Sequence, residues 1–425
     1  MTAFLAMPPA REIRGSVRVP ASKSATNRAF VLAALSDVPV FLVHPLDSGD
    51  TRALLRCLAA MGARVAKRED GISVSGPLGV SDVRRTVLDA EDSGTAARFL
   101  AALAAATPGW FQVTGSPRLC ERPMGELVAA LRSLGAAIVE TGAPGCLPLE
   151  IRGPSLRSGR VRIDATRSSQ FLSALMLAGA AGGPLEIAAA GLPASAPYAA
   201  LTADALRSFG HRVEGDGPWR VSRGGPALER YDTPGDFSSA LPLLAAVGVC
   251  GGEVRLTGLE WPSVQADALA LPVLERMGIT VSAAGGALRA SAARGGLRAV
   301  TVEASDFPDA VPALAALAAF ADGESRFDGI AHLRWKESNR LTSLATVLEG
   351  AGAAASAAPD SLSVRGRAAR PGGGFATLPT FRDHRIAMAA ALLSLRLPGL
   401  LIEDPDCVSK SYPGFFRDLD GLCRR

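Results

Sequence analysis

A chain of 425 residues is too long for one ordinary core and predicts two domains of roughly 200 residues each. Hydrophobic residues make up 48% and charged residues 20%, the balance of a globular protein, while aromatics at 5% leave few side chains for stacking nucleic-acid bases. The net charge of +4, without a basic tail, fits a small anionic substrate better than a polyanion. Neither a nucleic acid nor a membrane is therefore expected as a partner.

The six cysteines, Cys57, Cys120, Cys146, Cys250, Cys407 and Cys423, form no Cys-x-x-Cys pair and read as reduced thiols in a cytoplasmic protein. Residues 1–10 lack the basic start and apolar stretch of a signal peptide. The longest apolar runs, residues 240–249 and 310–320, are too short or Pro-broken to span a bilayer. Lysine is scarce, with four against forty-one arginines. Lys67 lies in a polar turn, and the other three sit inside compact polar motifs. Lysine is a compact, tunable point charge where arginine is a rigid fork, so these motifs are candidate sites.

In chain order, Ser22-Lys23-Ser24-Ala25-Thr26-Asn27-Arg28 opens an apolar helix over residues 29–35, and a helix start with two cations makes an anion site. Leu58-Ala59-Ala60-Met61-Gly62 then begins a repeat of apolar helix, glycine and short strand. The motif returns at Gly135, Gly210, Gly278 and Gly352, with separations of 73, 75, 68 and 74 residues by subtraction. A sixth, degenerate copy ends the chain near Leu419-Asp420-Gly421. Each glycine is expected to cap a helix in the left-handed conformation. A period of this length suits a small α/β unit, with three units per domain. The boundary falls after the third copy, where Gly224-Gly225-Pro226 and Thr233-Pro234-Gly235 punctuate the chain, with residues 231–235 as the hinge.

Between the repeats lie further polar motifs. Asp92-Ser93-Gly94-Thr95 opens a helix carrying Arg98, and Gly94 permits close approach to its backbone. Glu121-Arg122-Pro123 sets an arginine before another helix. Ser168-Ser169-Gln170 precedes an apolar helix over 171–178, and Asp236-Phe237-Ser238-Ser239 is its counterpart one repeat later, read as a cap. Asp309, before an Ala-rich helix, is either a dipole-favoured first-turn acid or a general base. In Lys336-Glu337-Ser338-Asn339-Arg340, the spacing places Lys336 and Arg340 on one helix face with Glu337 about a quarter-turn away, arranged either as an oxyanion site with a proton donor or as a solvated salt-bridge face. Arg382-Asp383-His384-Arg385 and Ser409-Lys410-Ser411 complete the set, with His384 read as structural. No P-loop, Gly-x-Ser-x-Gly elbow or metal-ligand spacing occurs in the sequence.

Taken together, these segments resemble the 5-enolpyruvylshikimate-3-phosphate synthase family, from Val19-Pro20-Ala21-Ser22-Lys23-Ser24 to Lys410-Ser411-Tyr412-Pro413 and in the family's order. The resemblance implies an α/β fold of two similar domains, each of three βαβαββ-type units in an inside-out α/β barrel, joined by a hinge. One domain would take residues 1–21 and 235–425, the other 22–234. It also implies transfer of the enolpyruvyl group of phosphoenolpyruvate to the 5-hydroxyl of shikimate 3-phosphate, through a tetrahedral adduct, by a monomer without cofactor or metal. The catalytic residues would be Lys23, Asp309 and Glu337. Shikimate 3-phosphate would meet Lys23, Ser24, Arg28, Ser168, Ser169, Gln170, Ser195, Asp309 and Lys336. Phosphoenolpyruvate would meet Lys23, Gly94, Arg122, Gln170, Arg340, Arg385 and Lys410. Because these residues come from both halves of the chain, closure about the hinge is expected on substrate binding.

The chain departs from the family at Ala196, where a basic residue is common, at His332 for Asn, at Asn339 for Asp and at Phe99 for Pro. Gly94 keeps the small residue associated with glyphosate sensitivity. The alternative is the sister UDP-N-acetylglucosamine enolpyruvyl transferase, whose loop cysteine position is Pro117 here. RNA-terminal phosphate chemistry on the same unit would demand a nucleotide site or a basic surface.

Overall fold

The computed structural model describes residues 3–191, 193, 195–225, 228–366 and 374–425. Pro226, part of the expected punctuation, lies outside the described residues. The chain divides into two compact units, Ala21–Thr233 and Met1–Pro20 with Pro234–Arg425.

The Ala21–Thr233 unit contains three four-stranded sheets of one design. In the second, strand Arg85–Asp89 runs parallel to Gly109–Thr114, which pairs antiparallel with Leu149–Gly153, which in turn pairs with Ala137–Glu140. The third repeats this with Gly159–Ile163, Leu185–Ala189, Trp219–Ser222 and Arg212–Glu214. The first departs in one strand: the parallel partner of Val40–Val43 is Arg230–Asp232, from the far end of the unit. Strand Gly109–Thr114 buries Gly109, Phe111 and Val113 and turns the alternate residues outward, the period-two pattern of a half-covered sheet.

Between the parallel strands run helices that are apolar nearly all round, and such helices must be interior. In Gly94–Ala106 every residue but Thr95 is buried, and Gln170–Gly182 buries Phe171 through Ala180. Together with Lys23–Ala34 they form the centre of one hydrophobic core, inside the sheets. The other unit follows the same plan. Its parallel pairs are Glu12–Arg18 with Gly252–Thr257, Thr301–Glu303 with Glu324–Asp328, and Ala376–Leu378 with Leu400–Glu403. Its buried helices are Phe237–Cys250, Val311–Ala318 and His384–Ser394. Strand Glu12–Arg18 lies between Gly252–Thr257 and Cys423–Arg424.

The five repeat glycines follow the second helix of their units, and all have positive φ: Gly62 106°, Gly135 92°, Gly210 79°, Gly278 102° and Gly352 84°. The sixth copy differs, because Gly421 lies within the helix Phe415–Leu422 and caps nothing. Helix starts are also earlier than the apolar pattern implied. The Lys23 motif occupies the first turns of Lys23–Ala34, and Gln170 is the first residue of its helix. Lys336 and Arg340 do not share a helix. Lys336 is extended after the 3-10 turn Ala331–Trp335, and a helix begins only at Arg340.

Candidate active site

In each unit side-chain bonds link the starts of the three buried helices, and almost all the candidate residues lie there. In Ala21–Thr233 the starts are Ser22-Lys23, Ser93-Gly94 and Ser169-Gln170. Ser22 and Ser93 accept hydrogen bonds from the N–H groups of Ala25 and Ala96, at 3.4 and 3.3 Å, as N-caps do.

Lys23 Nζ lies 3.0 Å from Asp50 Oδ2. Asp50 sits in the first turn of Gly49–Ala60, which Ser48 and Thr51 hold with a capping box. Among the described residues Arg28, 2% exposed, is gripped by neutral oxygens: Nε donates to Thr202 Oγ1 at 2.8 Å, Nη1 to the Ser24 carbonyl at 2.9 Å, and Nη2 to Ser173 Oγ at 2.9 Å and the Tyr198 carbonyl at 3.3 Å. Burial lowers its pKa to about 10, which leaves it charged at neutral pH. A buried cation held by neutral groups is costly unless an anion neutralises it. The Arg28–Ser173 bond joins the first helix to the third, and Gln170 Nε2 donating to Thr95 Oγ1 at 3.0 Å joins the third to the second.

Gly94 is hemmed in by two guanidinium groups. A Cβ placed on it would sit 2.5 Å from Arg98 Nη1 and 2.6 Å from Arg122 Nη1. Arg98 donates to the Gly94 carbonyl at 3.1 Å and to the Pro123 carbonyl at 2.9 Å, so it also ties down the turn that carries Arg122. Ser168 Oγ accepts from Gln170 N at 3.2 Å, the Ser169 carbonyl starts the helical ladder to Ser173 N, and Ser195 is buried with a left-handed φ of 55°.

The second unit has the denser electrostatics. Arg340, 1% exposed, reaches three carboxylates: Nη1 to Asp309 Oδ1 at 2.7 Å, Nη2 to Glu337 Oε2 at 2.9 Å, and Nε to Asp383 Oδ2 at 2.8 Å. Lys336 Nζ stands 3.3 Å from the same Asp309 oxygen, so the two cations of the motif converge without sharing a helix face. Lys410 Nζ lies 3.5 Å from Glu337 Oε1. Asp383, fully buried, caps its helix through Arg385 N at 2.9 Å and accepts from Ser338 Oγ at 3.1 Å. Arg385 Nη1 donates to the Ser238 carbonyl at 2.6 Å, Nη2 is 3.9 Å from Asp236 Oδ2, and its buried Nε has no protein partner among the described residues. Asp236 does not cap its helix but accepts from Ser239 Oγ at 2.7 Å. His384 begins its helix, buried, with Nδ1 3.8 Å from Asp383 Oδ1.

Burial opposes ionisation of Asp309, but Lys336, Arg340 and Arg385 outweigh it and hold the carboxyl well below the usual range. Burial, with Lys336 second, lowers His332 to about 3, so this imidazole is neutral at physiological pH. Asp267 goes the other way: burial first, then the charge of Asp309, raises it to about 7. The site thus sets fixed cations beside an ionised carboxylate on Asp309, an arrangement suited to holding polyanions while a proton moves. Among the described residues no group of His, Cys, Asp and Glu could hold a metal ion.

Asp50, Ser173 and Thr202 were not legible as site residues. Their signal is faint: a capping box one helix beyond Lys23, and hydroxyls on otherwise apolar buried helices. Asp383 was visible within its motif, but its grip on Arg340 was not.

This α/β fold of repeated crossovers is shared with solved enolpyruvyl transferases. It superposes on EPSP synthase from Acinetobacter baumannii with a TM-score of 0.79 at 24% identity, covering 100% of this chain and 98% of that one. The enolpyruvyl transferase NikO from Streptomyces tendae gives 0.77 at 20% identity, over 99% and 97%. The chain belongs to the EPSP synthase (3-phosphoshikimate 1-carboxyvinyltransferase) family, whose model matches residues 8–419. It is 40% identical to the 3-phosphoshikimate 1-carboxyvinyltransferase of Methanoculleus marisnigri over 407 residues, 95% of each chain. It is also 40% identical to that of Thermococcus kodakarensis over 415 residues, 97% of this chain and 98% of that one.

Proposed function

We infer that this protein transfers the enolpyruvyl group of phosphoenolpyruvate to the 5-hydroxyl of shikimate 3-phosphate and releases phosphate, a step of aromatic amino-acid biosynthesis. The convergence of Lys336 and Arg340 on one oxygen of Asp309 carries this reading, together with family membership over nearly the whole chain. Asp309 takes the hydroxyl proton as the oxygen attacks C2 of phosphoenolpyruvate. Glu337 delivers a proton to C3; the adduct then collapses as Glu337 recovers a proton from the new methyl group and the proton held by Asp309 leaves with the departing phosphate. Held so far below its usual range, Asp309 is a weak base. Bound anions facing Lys336, Arg340 and Arg385 would draw off that positive field and raise its proton affinity.

Shikimate 3-phosphate is assigned to Lys23, Ser24, Arg28, Ser168, Ser169, Gln170, Ser195, Asp309 and Lys336. Phosphoenolpyruvate is assigned to Lys23, Gly94, Arg122, Gln170, Arg340, Arg385 and Lys410. Arg28, charged and held by neutral groups, and Arg385, with a buried Nε left over, support this division. A cytoplasmic location is supported by the six cysteines, all free thiols; no helix among the described residues is long and apolar enough to cross a membrane.

The test is phosphate release from phosphoenolpyruvate with shikimate 3-phosphate or the UDP-sugar as acceptor. Release is expected with the former alone and should vanish in Lys23→Met. Asp309→Ala should bind both substrates and turn over poorly. A fully active variant would refute the assignment of the base.

A further inference from the structure

The helix Phe237–Cys250 begins without a cap of its own. Asp236 occupies the capping position, yet its side chain accepts no backbone N–H of that helix and turns instead to Ser239 Oγ. The missing acceptor comes from a distant segment. Gln265 Oε1 accepts the N–H of Phe237 at 3.0 Å, and Gln265 Nε2 donates to the Gly235 carbonyl at 2.7 Å. One amide thus clips the backbone on both sides of Asp236, much as an antiparallel strand would. Two residues on, Asp267 Oδ2 accepts the hydroxyl of Ser238. Gln265 and Asp267 are 7% and 3% exposed, and Ser238 is 6% exposed, so water does not compete for these bonds.

Ser238 is the residue that seats Arg385. Its carbonyl accepts Arg385 Nη1 at 2.6 Å, and Asp236 Oδ2 lies 3.9 Å from Nη2. Arg385 therefore takes its position from residues 236–238, which take theirs from residues 265–267. We propose that Gln265 and Asp267 are positioning residues for phosphoenolpyruvate binding: they buckle the Gly235–Ser239 turn so that Arg385 presents its guanidinium at a fixed place. The proposal rests on the assignment of Arg385 to phosphoenolpyruvate. The charges of Asp267 and Arg385 also act on each other directly, whereas Gln265 acts through the backbone of Gly235 and Phe237.

Steady-state kinetics with both substrates varied separately test this. Asp267→Ala and Gln265→Ala should each raise KM for phosphoenolpyruvate about five- to thirtyfold, the worth of one buried hydrogen bond, while KM for shikimate 3-phosphate and kcat stay within about threefold. Asp267→Asn keeps an oxygen that accepts the Ser238 hydroxyl but loses the charge that Arg385 feels, so it should recover part of the lost phosphoenolpyruvate affinity. Should Asp267→Ala fail to fold, Ser238→Ala removes the same bond from its other end and should give the same rise. The proposal is overturned if phosphoenolpyruvate KM is unmoved, if both KM values rise together, or if Asn does no better than Ala. Arg385→Gln separates the two levels. If it leaves phosphoenolpyruvate KM unchanged, the assignment of Arg385 falls first. If it raises that KM and the Asp267 and Gln265 variants do not, the positioning role alone is wrong.

Discussion

Gly94→Ala would add one methyl group at the point where two buried guanidiniums meet. The backbone tolerates it, since Gly94 opens a helix and is not among the glycines with positive φ. The side chain does not fit without movement. Arg122 Nη1 would stand 2.6 Å from the new Cβ and must retreat by 0.8 Å to reach the 3.4 Å of ordinary contact. A charge-assisted bond of about 2.8 Å stretched that far leaves hydrogen-bonding range, at a cost of about 1.5–3 kcal/mol. KM for phosphoenolpyruvate and the inhibition constant of glyphosate, its expected competitor, should both rise roughly 10- to 150-fold. KM for shikimate 3-phosphate, assigned to other residues, serves as the control. Thermal stability should fall as well, because Arg98 Nη1, 2.5 Å from the new Cβ, must also move, and overpacking a buried site typically costs about 1–3 kcal/mol. A well-folded variant with native phosphoenolpyruvate KM and native glyphosate inhibition would refute the contact argument.

Arg340→Met would strip one cation from three carboxylates, two of them poorly exposed and Asp383 fully buried. Breaking such an ensemble costs about 3–5 kcal/mol, so the melting transition of the unit containing residues 234–425 should fall by roughly 6–20 °C. A fall below 2 °C in calorimetry would contradict the burial argument. Asp267→Asn should be stabilising at high pH. Burial and then Asp309 raise the native carboxyl to about 7, so between about pH 4 and 7 the native state keeps a proton that the unfolded chain has released, and stability drops as pH rises through that window. Asparagine never ionises, so the melting advantage of the variant should widen by about 5 °C from pH 5 to pH 8. An advantage independent of pH would mean that Asp267 is ionised in the native protein throughout.

The glycine repeat was legible because a left-handed helix end strongly favours glycine, and Gly62, Gly135, Gly210, Gly278 and Gly352 all meet that demand. The candidate residues were legible because polar groups at the starts of apolar helices stand out. What sequence spacing could not give was partnership. Lys336 and Arg340 read as a helical i,i+4 pair, but the chain is extended at Lys336 and its lysine reaches Asp309, 27 residues earlier, by a turn no periodicity encodes. Gln265 and Asp267 escaped notice for the same reason. Their chemistry is ordinary, and only the fold reveals that Gln265 caps a helix 28 residues upstream and that Asp267 accepts the hydroxyl of Ser238, 29 residues upstream.

The position of strand Glu12–Arg18 sets a timetable for the growing chain. Its neighbours are Gly252–Thr257 and the final residues Cys423–Arg424, whereas the Ala21–Thr233 unit already holds all of its strands once Arg230–Asp232 has been made. During synthesis the second-encoded unit can close first, while the N-terminal arm waits for a partner more than two hundred residues away. This early strand is thus among the last to find its place, and removing Cys423–Arg424 would be felt at Glu12–Ile13.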